Sequence, residues 1–168
     1  MIKIGKNLSE WSSYSCKPKT RSELIDIVDD RISKDGPNCD LNDIDVSLIE
    51  DMSYLFSQSN FNGDISKWNV SNVENMSCMF TYSKFNGDIS EWDTFKVTDR
   101  GWMFEKSHFN GNISKWNVSN VKDMRSMFEY SYFKQDVSSW KINSKCNTFG
   151  MFTLCPIKEE YKPKSLQS

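Results

Sequence analysis

The chain has 168 residues, close to one domain at a usual size of roughly 100–200 residues each. Lys and Arg total 21 against 23 Asp and Glu, and the formal charge of −2 supplies no concentrated positive field for nucleic acid or an anionic membrane. Only 38% of residues are hydrophobic yet 14% are aromatic, which excludes a disordered chain and points to a thin core of large side chains.

Residues 1–36 read as an N-terminal cap. Thr20-Arg21-Ser22-Glu23 has capping-box spacing, and Leu24, Ile27, Val28 and Ile32 recur on one face. This predicts an amphipathic helix over 20–35, ended by Gly36-Pro37. Residues 1–19 are expected to pack on it through Ile2, Ile4, Leu8 and Trp11. No segment has the apolar length of a signal-peptide core or a membrane span, so a cytoplasmic protein with no membrane partner is expected.

A fixed interval governs the rest. Phe61-Asn62-Gly63 returns 24 residues later at Phe85-Asn86-Gly87 and again at Phe109-Asn110-Gly111. Trp68, Trp92, Trp116 and Trp140 keep that interval, as do Phe56, Phe80, Phe104, Phe128 and Phe152. Five units follow over 37–156, beginning at residues 37, 61, 85, 109 and 133. One such unit cannot bury its own apolar face, so equivalent side chains are predicted to stack into a continuous core.

Within a unit, 64–70 reads as a short strand entered through a bend: Trp68 and Val70 share a face, and Ile65 breaks strict alternation. Val73, Met76 and Met79-Phe80 then lie three or four apart, predicting a helical turn or short 3₁₀ segment capped by Ser71 and Glu74. Asn62-Gly63 reads as a turn. The fifth unit loses the pattern, as a terminal repeat facing solvent does, and the charged tail over 157–168 is expected to fray.

Cys16, Cys39, Cys78, Cys146 and Cys155 are odd in number and contain no Cys-x-x-Cys pair, so free thiols are expected. Asp40, Asp64, Asp88, Asn112 and Asp136 form a column at the unit interval. Calcium needs several oxygens converging on each ion, so this column reads as polar side chains bonding backbone amides. No metal or other cofactor is expected. The single histidine, His108, occupies a column otherwise holding Asn60, Lys84 and Tyr132, and no acid pair converges on it. Catalysis is not expected.

The unit Phe-Asn-Gly-Asp-Ile-Ser-x-Trp-Asn-Val-Ser-Asn-Val-x-x-Met-x-x-Met-Phe stands at 61–80 and, with Asn112 for the Asp, at 109–128. It resembles the BspA-like leucine-rich-repeat family, found in bacterial surface lipoproteins and in some viral and phage-encoded proteins. The resemblance covers about residues 40–153. It implies a leucine-rich-repeat-like solenoid of five coils, with short strands, short helical or 3₁₀ turns and an N-terminal capping helix. It also implies a scaffold for protein binding, and its repeated motif supplies no catalytic residues.

Departures from the repeat mark candidate binding residues. In the unit at 85–108, Phe95 replaces a Ser, Arg100 replaces a Met of the core column, and Trp102 stands where Cys78 and Ser126 stand elsewhere. Varying columns add Tyr82, His108, Tyr130 and Tyr132. Trp, Tyr and Arg dominate interface hot spots, so these seven residues form one candidate protein-binding set. The other reading is a packing irregularity, in which Arg100 snorkels outward and Trp102 covers the gap. The expected function is a monomeric, non-catalytic module that binds another protein, of the kind of an intracellular effector or inhibitor occluding a target. An extracellular adhesion module is the first alternative. A nucleic-acid binder or mimic is the second, and the mixed charges along the chain argue against it.

Overall fold

Thr20 opens the helix as the sequence spacing requires: its Oγ1 accepts from the Glu23 amide at 3.2 Å, and the Glu23 carboxylate accepts from the Lys19 amide at 2.7 Å. The computed structural model describes residues 15–167, and the packing expected of Ile2, Ile4, Leu8 and Trp11 lies outside them. Helix α1 spans Arg21–Asp35 and stops at Gly36, whose φ of 88° is a conformation that glycine adopts without strain. Leu24 and Val28 are buried against the first unit. Arg21 Nε donates to the Ser53 carbonyl at 2.7 Å, and Arg31 pairs with Asp43 at 2.9 Å, so the helix covers that end of the stack.

Beyond α1 the chain builds 24-residue units from turns. Phe56, Phe80, Phe104, Phe128 and Phe152 stack with ring centroids 5.5–5.6 Å apart. Phe61, Phe85, Phe109 and Phe133 form a second column at 6.0–6.4 Å, facing the first at 4.1–4.6 Å. Each tryptophan of the repeated column bonds into the unit before it: Nε1 of Trp68, Trp92, Trp116 and Trp140 donates to the carbonyls of Leu41, Ile65, Ile89 and Ile113. A buried indole N–H is thereby satisfied at every interface.

The backbone path corrects the leucine-rich-repeat-like solenoid of short strands and helical turns expected from the sequence. Among the described residues no strands pair into a sheet. The only extended pairings are isolated parallel bridges, such as Asp51 with Asn75 and Asn75 with Asp99. No helical turn or 3₁₀ segment forms over 71–80 either. Ser71 does not cap there: its hydroxyl donates to Asn69 Oδ1 at 2.7 Å, and the Glu74 amide donates to the Glu50 carbonyl.

The physical reason is how the amides divide. In the 52–59 segment, Leu55, Ser57 and Ser59 donate three residues back to Met52, Tyr54 and Phe56. The alternate amides of Met52, Tyr54, Phe56 and Gln58 donate instead to the carbonyls of Asn75, Ser77, Met79 and Thr81 in the next unit. A helix would send every amide back along its own chain and a strand would send none, so this ribbon is neither. The same pattern joins each later pair of units.

Side chains complete the turns. Asp64, Asp88, Asn112 and Asp136 accept from the amides two residues ahead at 2.9–3.0 Å. Asn62, Asn86 and Asn110 form a second ladder, each Oδ1 accepting from the amide 24 residues on. Gly63 answers to close approach, since a Cβ there would lie 1.9 Å from the Cys39 carbonyl oxygen. The tail is docked where fraying was expected: the Val137 amide donates to the Tyr161 carbonyl at 2.9 Å, Ile157 is buried, and 3₁₀ turns form at Glu159–Tyr161 and Lys164–Leu166.

Candidate interaction surface

Every unit holds two residues in the left-handed region. One column reads Tyr54, Cys78, Trp102, Ser126 and Gly150, with φ between 52° and 67°. The other, four residues on, reads Gln58, Tyr82, Lys106, Tyr130 and Leu154, with φ between 50° and 58°. A left-handed backbone costs a non-glycine residue roughly 1–2 kcal/mol. Only Gly150 escapes that cost.

These columns carry large exposed side chains. Lys106 lies between two rings, its Nζ 4.6 Å from the Tyr82 centroid and 5.3 Å from that of Tyr130, and it donates to the Tyr82 hydroxyl. That hydrogen bond holds the Lys106 ammonium above its ordinary value. Tyr82 and Tyr130 are about half exposed, at 51% and 49%. Half-buried Trp102 sits 5.0 Å beneath the Arg125 guanidinium, which also bonds the Asp123 carboxylate. Two residues after Lys106 and Tyr130, the exposed rings of His108 and Tyr132 meet at 5.0 Å with a 58° tilt.

The seven residues singled out in the sequence therefore divide. Tyr82 and Tyr130 meet through Lys106, and His108 meets Tyr132. Phe95 is exposed at a separate turn, where its amide donates to Asp93 and its carbonyl accepts from Asn120; among the described residues no aromatic ring contacts it. Arg100 must be removed from the set. It is 0% exposed, so it reaches neither a partner nor solvent, and outward snorkelling is corrected with it. Its Nη2 donates to the Thr94 and Asn117 carbonyls at 3.2 Å, and its guanidinium lies 4.9 Å over Trp116. Burial pushes its value down to about 9, still above neutral pH.

Lys106 and Arg125 were missed because neither breaks a core column. Their signal was available: a cation stands 24 residues from a tyrosine on both sides in one case, and 23 residues from a tryptophan in the other. No group of three or more His, Cys, Asp or Glu able to hold a metal occurs among the described residues. No helix among them is long and apolar enough to cross a membrane.

Comparison with known proteins returns one family, described as Mycoplasma protein of unknown function, DUF285, which matches residues 31–140 and 102–160. No curated protein and no solved structure matches the chain. With matches running across all five stacked units, the chain belongs to the DUF285 family, a repeat-containing family related to BspA-like proteins.

Proposed function

We propose that this chain is a non-catalytic module that binds another protein through the face bearing Tyr82, Trp102, Lys106 and Tyr130. The observation that carries the reading is bulky side chains held on strained backbone, with Tyr82 and Tyr130 exposed and Trp102 and Lys106 half-buried. Glycine would relieve the strain there, and exposed rings return little burial to the free fold. Exposed cation–ring contacts are too weak to offset a left-handed backbone. Rigid aromatic bodies with cationic neighbours are what a desolvated protein interface uses. The repeated Phe-Asn-Gly-Asp-Ile-Ser-x-Trp unit further supports a place among BspA-like repeat proteins, for which a binding scaffold is the natural role.

The test compares the parent with a Tyr82→Ser, Trp102→Ser, Tyr130→Ser variant of unchanged unfolding midpoint. Both are immobilised and challenged with a lysate of the source cell, and retained proteins are identified by mass spectrometry. A protein held by the parent and lost by the variant is expected, with at least tenfold weaker affinity by calorimetry, about 1.4 kcal/mol. Identical retention by both would overturn the reading.

A further inference from the structure

The two ends of the stack differ. At the N-terminal end α1 covers the first unit, and Arg21 satisfies the Ser53 carbonyl. At the C-terminal end the docked tail joins the Val137 side. Among the described residues no hydrogen bond from the tail reaches the ribbon at 148–154. Four interfaces repeat one rule, in which alternate amides donate to carbonyls 23 residues ahead; the last set runs from Met124, Ser126, Phe128 and Tyr130 to Asn147, Phe149, Met151 and Thr153. The next amides in register belong to Thr148, Gly150, Phe152 and Leu154, and among the described residues none has an acceptor. Their intervening neighbours Met151, Thr153 and Cys155 keep the internal bonds, so the ribbon retains its shape to the end.

The same edge exposes apolar surface. Phe149 is 85% and Leu154 69% exposed. Phe152 stacks on Phe128 at 5.5 Å and among the described residues has no further ring beyond it, although each of the three inner phenylalanines of that column lies between two. Four parallel donors beside an unfinished aromatic column call for an occupant with carbonyls at every second residue and a phenylalanine in register. A second copy does not meet this need through its own ends, because its matching edge is again donors and its opposite end lies under α1.

We propose that the 148–154 edge binds, by main-chain addition, one ribbon segment of the Met-x-x-Met-Phe pattern presented by another repeat-bearing polypeptide. The acceptors it supplies correspond to the carbonyls of Asp123, Arg125, Met127 and Glu129, which accept from Arg100, Trp102, Phe104 and Lys106 inside the stack. Addition to an open edge takes affinity from main-chain bonds and register from side-chain pockets. The surface lies at the end of the stack, where Leu154 continues the left-handed column, and its test leaves the side chains of Tyr82, Trp102, Lys106 and Tyr130 unchanged.

Amide hydrogen exchange on the full chain decides the matter. In the free protein the amides of Thr148, Gly150, Phe152 and Leu154 should exchange at least tenfold faster than those of Arg100, Trp102, Phe104 and Lys106. A synthetic peptide with the sequence of residues 123–131 should slow the first four at least tenfold at about 1 mM, the range of weak binding. A scrambled peptide of equal composition should not, and Phe152→Ala should weaken the effect tenfold. Leu154→Ser serves the same purpose should the first variant unfold. Protection already present without peptide would overturn the proposal. So would no protection with it, equal protection by the scrambled peptide, or an unchanged effect in the folded variant.

Discussion

Replacing Arg100 by methionine should stabilise this protein. The same column holds Met52, Met76 and Met124, each 0% exposed, so the stack already accommodates methionine there. Arg100 brings a charge into that column, and burial pushes its value down to about 9 without discharging it at neutral pH. The group whose negative charge would favour it, Cys146, stays a neutral thiol because burial pushes its value up to about 11. Nη2 makes two bonds at 3.2 Å, longer than the ~2.7–2.9 Å of strong charge-assisted pairs. Nε and Nη1 are buried without an acceptor among the described residues. Each such orphan costs about 1–3 kcal/mol, and desolvating the charge costs several more. Against this stand the two long bonds and the contact with Trp116, which a methionine sulfur partly replaces. The net expectation is a gain of about 1–4 kcal/mol, the range seen when buried ionic groups give way to well-packed apolar ones. Urea unfolding followed by tryptophan fluorescence reads this as a higher midpoint at constant slope. A variant less stable than the parent by about 1 kcal/mol or more would refute the reasoning, and would mean that the guanidinium holds the third unit together.

Two further outcomes follow from the stack. Phe104 is fully buried and touches Phe80, Phe109 and Phe128 at 5.5, 4.3 and 5.6 Å, so Phe104→Ala should lower stability by about 3–5 kcal/mol; an unchanged denaturation midpoint would rule out the stacked column. The amides of Ser66 and Ser90 hold the Asp64 and Asp88 carboxyls below their ordinary values. A carboxyl lowered by folding contributes stability that is full above its unfolded value of about 3.9 and lost as pH falls through the folded value. Asp64→Asn and Asp88→Asn should therefore flatten the loss of unfolding free energy below about pH 4, since Asn112 already accepts the equivalent bond without a charge. Equal acid slopes in parent and double variant would show that these turns do not couple to pH.

How far the fold could be read depended on whether a residue's role is visible at its own position. Thr20 and Glu23 announce the start of α1 because capping is a local exchange of bonds. The Asp64 and Asp88 turns were legible for the same reason. Arg100 misled because its burial depends on the Asn117 carbonyl and the Trp116 ring, both a unit away. The left-handed columns were hidden because glycine, the usual sign of such backbone, occupies only Gly150 among them.

By itself, then, the amino-acid order determined the 24-residue period and which equivalent side chains stack, because identical aromatic side chains at a constant interval bury surface only by stacking on one another. The tertiary structure alone decided the path of the backbone between them. Each amide in the 52–59 ribbon chooses between a carbonyl three residues behind and one in the next unit. That choice exists only once the neighbouring unit is in place, and it turns a segment whose spacing reads as a helical turn into a ribbon of turns with tyrosines held outward on strained backbone.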